Sequence, residues 1–320
     1  MHTIADVAQR FAALRDQLDR VIIGQERVKA LAVTSLVAGG HMLLEGAPGT
    51  GKTLLALTLS RLLGCRFRRI QFTPDLMPAD LLGANIFNQK SQEFVFRSGP
   101  VFTDVLLADE INRTPPRTQA ALLESMQEGH VTVDGERYPV SNVFTVFATQ
   151  NPIEFEGTYP LPEAQRDRFL FKINIDFPEA ADESRMLKAY ASGKRLHDEM
   201  VEALQPVMNG DELLTARRTV ASHVRVEPDI IRYIQEIVAK TRRDESVQIG
   251  AGPRASLALL ESSRASAALQ NRDFITPDDV KSHVAPVLAH RVTLSPEAEM
   301  EGMALEDLLA RIFDQVEVPR

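Results

Sequence analysis

Residues 41–63 read HMLLEGAPGTGKTLLALTLSRLL. The apolar run Met42-Leu43-Leu44 passes at once into Gly46-Ala47-Pro48-Gly49-Thr50-Gly51-Lys52-Thr53, and a helical pattern follows that is closed by Gly64. Strand, glycine-rich turn and helix in that order fit a P-loop. Its glycines let backbone N–H groups converge on phosphate oxygens, and the helix N-terminus favours an anion. In such a loop Lys52 meets the β and γ phosphates and Thr53 can ligate magnesium. His41, just ahead of the strand, reads as a packed polar residue and not as a ligand.

Outward from this stretch, the first half of the chain alternates apolar or β-branched runs with helical patterns, which predicts an α/β fold: a parallel sheet with helices on both faces. Candidate strands cover 41–44, 66–72, 105–108, 143–148 and 169–175. Helices are expected over 52–63 and 115–127, the second with Thr114 as N-cap, prolines in its first turn and Gly129 behind it. Two inserts break the alternation. NIFNQKSQEFVFR (85–97) reads as a strand pair and HVTVDGERYPV (130–140) as a hairpin centred on Asp134-Gly135, each a candidate partner contact. Beyond Pro178 strand-like runs vanish and amphipathic helical patterns follow one another, with clear starts at Glu227-Pro228-Asp229 and Thr276-Pro277-Asp278. The expected organisation is therefore a nucleotide-binding αβα domain over 1–177 and an all-helical domain over 178–320.

Composition narrows the function. Of 320 residues, 36 are Lys or Arg and 44 are Asp or Glu, a net charge of −8 that lowers the case for a general nucleic-acid binder. The local basic group Arg66, Arg68 and Arg69 reads as a solvated strand face. One cysteine, Cys65, excludes a disulfide framework and a Cys-rich zinc site and suits a reducing compartment. The seven histidines form no metal pair, and Met186, Met200 and Met208 read as helix packing or surface residues. No apolar run approaches the ~20 residues of a membrane span, and the charged N-terminus lacks a signal-peptide pattern, so a cytoplasmic location is expected.

The strand Val105-Leu106-Leu107-Ala108 ends in Asp109-Glu110, delivering two carboxylates to the sheet edge where α/β folds bind ligands. Asp109 can hold the magnesium shell, while Glu110 has the position to orient and deprotonate an attacking water. A further strand runs into Thr149-Gln150-Asn151-Pro152, where Asn151 can hydrogen-bond the γ-phosphate or the water.

Four segments converge on a family: GAPGTGKT, LLADEINRTPPRTQAALLESMQEGHVTVDGE, ATQNPIEFEGTYPLPEAQRDRF and GAGPRAS. In this order they resemble the MoxR family of AAA+ ATPases, near the magnesium chelatase motor subunits, and the resemblance runs from Ile23-Gly24-Gln25 to the last helices. It implies an αβα core with a helical lid, assembled as a ring of six with ATP at the interfaces. By this match, Gly46 through Thr53 (Gly46, Ala47, Pro48, Gly49, Thr50, Gly51, Lys52, Thr53) form Walker A with Leu54 beside them in the nucleotide site, Asp109 and Glu110 form Walker B, and Asn151 is sensor 1. Arg168 matches the arginine finger that reaches a neighbouring subunit's γ-phosphate, Arg254 matches sensor 2 on the lid, and Ile23 and Gly24 lie at the adenine pocket. The two inserts match the helix 2 insert and the pre-sensor 1 hairpin. Two departures stand out: Arg166 offers a second finger candidate two residues before Arg168, and Gly252 takes the place of an expected serine beside Arg254.

The function these readings predict is a magnesium-dependent ATPase that remodels, matures or inserts metal into a client, with a von Willebrand factor A domain protein as the implied partner. An ATP-gated docking switch with little turnover carries the same motifs. A DNA motor lacks an aromatic-basic stripe to support it, and a small-molecule kinase does not account for the lid and the arginines beyond the core.

Overall fold

A computed structural model describes residues 1–151, 158–191 and 198–319. The first part of the chain runs α1 (Ile4–Val21), α2 (Glu26–Ala38), β1 (Met42–Glu45), α3 (Lys52–Leu62), β2 (Phe67–Gln71), α4 (Pro78–Leu82), β3 (Gly83–Asn88), β4 (Glu93–Ser98), β5 (Val105–Asp109), α5 (Pro116–Glu128), β6 (His130–Val133), β7 (Glu136–Pro139), β8 (Thr145–Gln150), α6 (Glu163–Arg166) and β9 (Phe171–Asn174). There follow α7 (Ala180–Ala191), α8 (Asp198–Glu202), α9 (Gly210–His223), α10 (Pro228–Thr241), β10 (Val247–Ile249), α11 (Pro253–Leu269), α12 (Pro277–Leu288), β11 (Thr293–Leu294), α13 (Pro296–Met300) and α14 (Leu305–Asp314).

Five strands form one parallel sheet in the order β2-β5-β8-β1-β9. Its inner strands β5, β8 and β1 are buried on both faces, which is why they read as unbroken apolar runs. Alternate residues feed two separate cores. Met42, Leu44, Val105, Leu107 and Phe147 pack with α1, α2, α3 and the later helices, while Leu43, Leu106, Ala108, Val146 and Ala148 pack with Ile111, Leu122 and Leu123 on the other side. Edge strand β2 covers less apolar surface and is largely exposed. Arg66, just ahead of it, and its own Arg68 and Arg69 are exposed, as the sequence reading has it, but two of them are paired: Arg66 with Asp104 and Arg69 with Asp109.

α5 starts one residue later than expected, with Pro115 at its N-cap. The Thr114 hydroxyl donates instead to the Thr73 carbonyl at 3.0 Å, a tertiary contact that outbids the local cap. Both inserts are antiparallel hairpins, and they touch: Phe96 stacks on Tyr138 with centroids 3.9 Å apart, and Asn85 Nδ2 donates to Asp134 Oδ2 at 2.7 Å.

The later helices form the expected lid, with one addition, the short antiparallel pair β10–β11. α11 lies across α1, α2, α10 and α12, so one apolar core runs from the sheet into the lid. Half-buried Arg217 of α9 ties the two, its Nε donating to the Leu36 carbonyl at 2.8 Å and Nη2 to Thr145 Oγ1 at 3.3 Å. Burial pulls its pKa down to about 10. No described helix is long and apolar enough to cross a membrane.

Candidate functional site

β1, β5 and β8 end side by side, and the turns that leave them line one cleft of about 350 Å³. Gly46 turns out of β1 so close to β9 that a Cβ there would lie 2.3 Å from the Ile175 carbonyl oxygen. Gly51 caps α3 in the left-handed region, at φ +86°, a conformation that costs a glycine little, and offers no side-chain cap. The first N–H groups of α3 therefore face the cleft with an anion as their natural partner. Lys52 Nζ lies over the loop, donating to the carbonyls of Gly46 (2.9 Å) and Ala47 (2.7 Å). Burial lowers its pKa, and nearby Asp109 and Glu110 partly offset that.

The opposite wall carries the two carboxylates. Thr149 at the end of β8 orders both: its hydroxyl donates to Asp109 Oδ1 at 2.7 Å and accepts from the Glu110 N–H at 2.8 Å. Asp109 Oδ2 accepts from Arg69 Nε (3.1 Å) and Nη2 (2.6 Å). Glu110 adopts φ +56°, a left-handed conformation that costs a non-glycine residue about 1 kcal/mol. Its carboxylate accepts from Gln71 Nε2 and pairs with Arg113 Nε at 3.3 Å. Asn151 is buried and lines the same cleft; Pro152 lies outside the described residues.

An apolar pocket opens beside the loop, formed by Val21, Ile22, Ile23, Leu54, Pro178 and Met186 together with Gly49, Thr50 and Gly51. Gln25 Nε2 braces it, donating to the Thr50 carbonyl at 3.0 Å. Gly24 makes the turn before α2, where a Cβ would strike Asp182.

A second polar group sits apart from the cleft, on the segment from α6 into β9. Asp167 pairs with buried Arg291 (2.7 Å) and with half-exposed Arg254 (3.8 Å). Arg291 also donates to the carbonyls of Phe169 (2.7 Å) and Leu170 (3.2 Å), which fixes the segment on the lid. Arg168 faces an open groove with Glu124, Glu128, His130, Thr132 and Arg137, from α5 and the β6–β7 hairpin. Within the described chain the Nε atoms of Arg166 and Arg168 are buried and have no hydrogen-bond partner.

Residues 41–171 match the ATPase family associated with various cellular activities, AAA, and residues 239–312 match the AAA lid domain. Chaperone MoxR1 of Mycobacterium tuberculosis is 40% identical over 95% of this chain and 81% of its own length. The chain belongs to the MoxR family of AAA+ ATPases. The protein YeaC of Bacillus subtilis is 46% identical over 95% of this chain and 93% of its own. A crystal structure from Cytophaga hutchinsonii, of a protein provisionally described as an ATPase, aligns with a TM-score of 0.90 at 36% identity, covering 99% of this chain and 97% of that one.

As a MoxR-family chain it carries a nucleotide site. The structure gathers Gly46, Pro48 through Leu54, Asp109, Glu110 and Asn151 around the cleft, and Ile23 around the adjoining apolar pocket. Arg168 and Arg254 do not line it; both flank Asp167 instead. The lid thus does not carry Arg254 over its own chain's P-loop. Sequence reasoning missed Arg69, Gln71 and Thr149 of the carboxylate wall, and Met186, expected only to pack or face solvent, lines the apolar pocket. A period-two reading of β2 would have put Arg69 and Gln71 on one face, though not over the carboxylates.

Proposed function

We propose that the chain is a magnesium-dependent ATPase that works in a hexameric ring as a chaperone-like motor. The observation that carries this reading is the cleft itself, in which Lys52, Thr53, Asp109, Glu110 and Asn151 converge at the end of the P-loop strand. The α3 N-terminus and the loop amides bind the phosphates, and Lys52 turns from the loop carbonyls to the β and γ oxygens. The Thr53 hydroxyl and Asp109 carboxylate are hard oxygen donors of the kind magnesium selects. Bound there, the cation neutralises charge on the β and γ phosphates. Glu110 takes a proton from the attacking water, and Asn151 orients the water or the γ-phosphate. The adenine lies in the apolar pocket beside Ile23 and Gly24.

Charge grows on the phosphoryl oxygens during transfer, yet the cleft holds neither Arg168 nor Arg254. Arg168 is read as the finger that reaches a neighbouring subunit's cleft and Arg254 as sensor 2 supplied by the lid, so that hydrolysis waits on the closed assembly. The division into a core over 1–177 and a lid over 178–320, and action in the cytoplasm, belong to the same reading. So does a client or adaptor with a von Willebrand factor A domain, which rests on the family; the relative named a chaperone supports the remodelling role.

Phosphate release by the purified chain tests the chemistry. Lys52→Ala and Glu110→Gln should each lose at least about a hundredfold in turnover, and equal rates in all three proteins would remove the hydrolase claim. Pull-down with the Glu110→Gln form in ATP should retain clients, and repeated absence of any von Willebrand factor A protein would discard that partner.

A further inference from the structure

Arg69 stands on the edge strand, level with Leu107 in the β2–β5 register, but its guanidinium reaches along the sheet to Asp109. Two of its N–H groups converge on one oxygen, Oδ2, while Thr149 holds the other. Among the described residues Lys52 does not perform this task, since its ammonium is engaged by loop carbonyls. The carboxylate at 13% exposure is thus covered by a guanidinium that is itself 50% exposed and free to withdraw into water. Under the reading above, the same carboxylate shares a divalent cation with Thr53. A guanidinium and a divalent cation on one oxygen exclude each other by charge and by volume.

We propose that Arg69 is the place-holding cation of this site. It neutralises Asp109 while magnesium is absent, must release Oδ2 when magnesium arrives with ATP, and so sets the magnesium concentration at which the site fills. Chemistry favours arginine for the task. Its planar fork supplies two directed N–H groups, and it is always charged. A half-exposed pair is weak enough for a dication to displace. Arg69 Nη2 also lies 3.4 Å from Gln71 Oε1, and the Gln71 amide donates to Glu110. Withdrawal of Arg69 therefore loosens the contact behind Glu110, which links filling of the metal position to release of the catalytic base.

The inference rests on the nucleotide reading of the cleft, and binding measurements separate the two. A fluorescent ATP analogue is titrated against the full chain, first in EDTA and then over a series of magnesium concentrations, for the wild type, Arg69→Gln and Arg69→Lys, with circular dichroism melts confirming that all three fold. In Arg69→Gln the magnesium midpoint should fall about three- to tenfold, with analogue affinity at saturating magnesium held within about twofold. Arg69→Lys, which keeps the charge and loses the fork, should lie between. An unchanged midpoint in Arg69→Gln overturns the proposal. So does a loss of analogue affinity that persists at saturating magnesium, because Arg69 would then be a phosphate ligand. Failure of the wild type to bind the analogue at any magnesium concentration would remove the nucleotide reading itself, and the role of Arg69 with it.

Discussion

At the scale of single residues, Thr149 has a larger influence than its size suggests. One hydroxyl fixes the Asp109 carboxylate and satisfies the N–H of Glu110, a residue already held in a left-handed conformation. Replacing it by the near-isosteric valine leaves that N–H without a partner, at a cost of about 1–3 kcal/mol. Thr149→Val should therefore lower the urea midpoint and cut ATP turnover about tenfold or more, through a misplaced carboxylate pair. Thr149→Ser keeps the hydroxyl and should retain most of both. Turnover in Thr149→Val equal to wild type would show that the two carboxylates need no such brace. By contrast Cys65, the lone thiol, is chemically quiet: burial, with nearby Asp104 adding to it, pushes its pKa up to about 11.

At the scale of elements, helix α12 shows how a local signal and a tertiary one combine. Its start, Thr276-Pro277-Asp278-Asp279, was readable as a helix N-terminus, and Asp279 closes a capping box by accepting from the Thr276 N–H at 2.8 Å. The same carboxylate, 1% exposed, takes a two-point bond from Arg272 at 2.6 and 2.7 Å and one from Ser266 at 3.0 Å. Burial acts to raise its pKa, but these donors outweigh it and hold the group below the ordinary carboxylate range. Its contribution is thus present above about pH 4 and lost as pH falls further. Asp279→Asn should cost about 3 kcal/mol near neutral pH, because Arg272 keeps a half-buried charge without its partner; equilibrium denaturation at pH 7 measures this, and a loss below about 1 kcal/mol would mean the pair acts like an exposed one. The sheet strands, the P-loop and both hairpins were legible for similar reasons: buried strands are continuous apolar runs, and turns need glycine at fixed places. What escaped was set by distant partners. Three arginines within four residues do not disclose that β2 is an edge strand beside Asp109, nothing within residues 247–249 foretells pairing with 293–294, and the position of Arg254 depends on the path of the whole lid.

At the scale of the whole molecule, His283 and His290 are buried among the described residues, and His41 is partly buried. His41 accepts the Val146 N–H on Nδ1 at 3.1 Å, so its proton sits on Nε2 and points to the Met126 carbonyl, confirming it as a packed residue. Burial brings its pKa down to about 4 and also lowers those of His283 and His290. Between the ordinary value near 6.5 and these depressed ones, the unfolded chain binds more protons than the folded one. Stability therefore holds above about pH 6.5 and falls as the solution is acidified, by up to about 3 kcal/mol from His41 alone; a melting temperature unchanged from pH 7 to pH 5 would contradict this. Assembly leads to a separate expectation, in which Lys52 and Arg168 serve one reaction from different subunits. Lys52→Ala ruins a subunit's own cleft but leaves its arginines intact, while Arg168→Ala does the reverse. If the contacts are head-to-tail, an equal mixture of the two inactive proteins creates interfaces that join a sound cleft to a sound finger, about a quarter of all interfaces after random exchange. Phosphate release should then recover toward that fraction of the wild-type rate once subunits have exchanged. Were Arg168 to act on the P-loop of its own chain, no mixture could pair the two intact parts, and the rate would stay at the level of the separate variants.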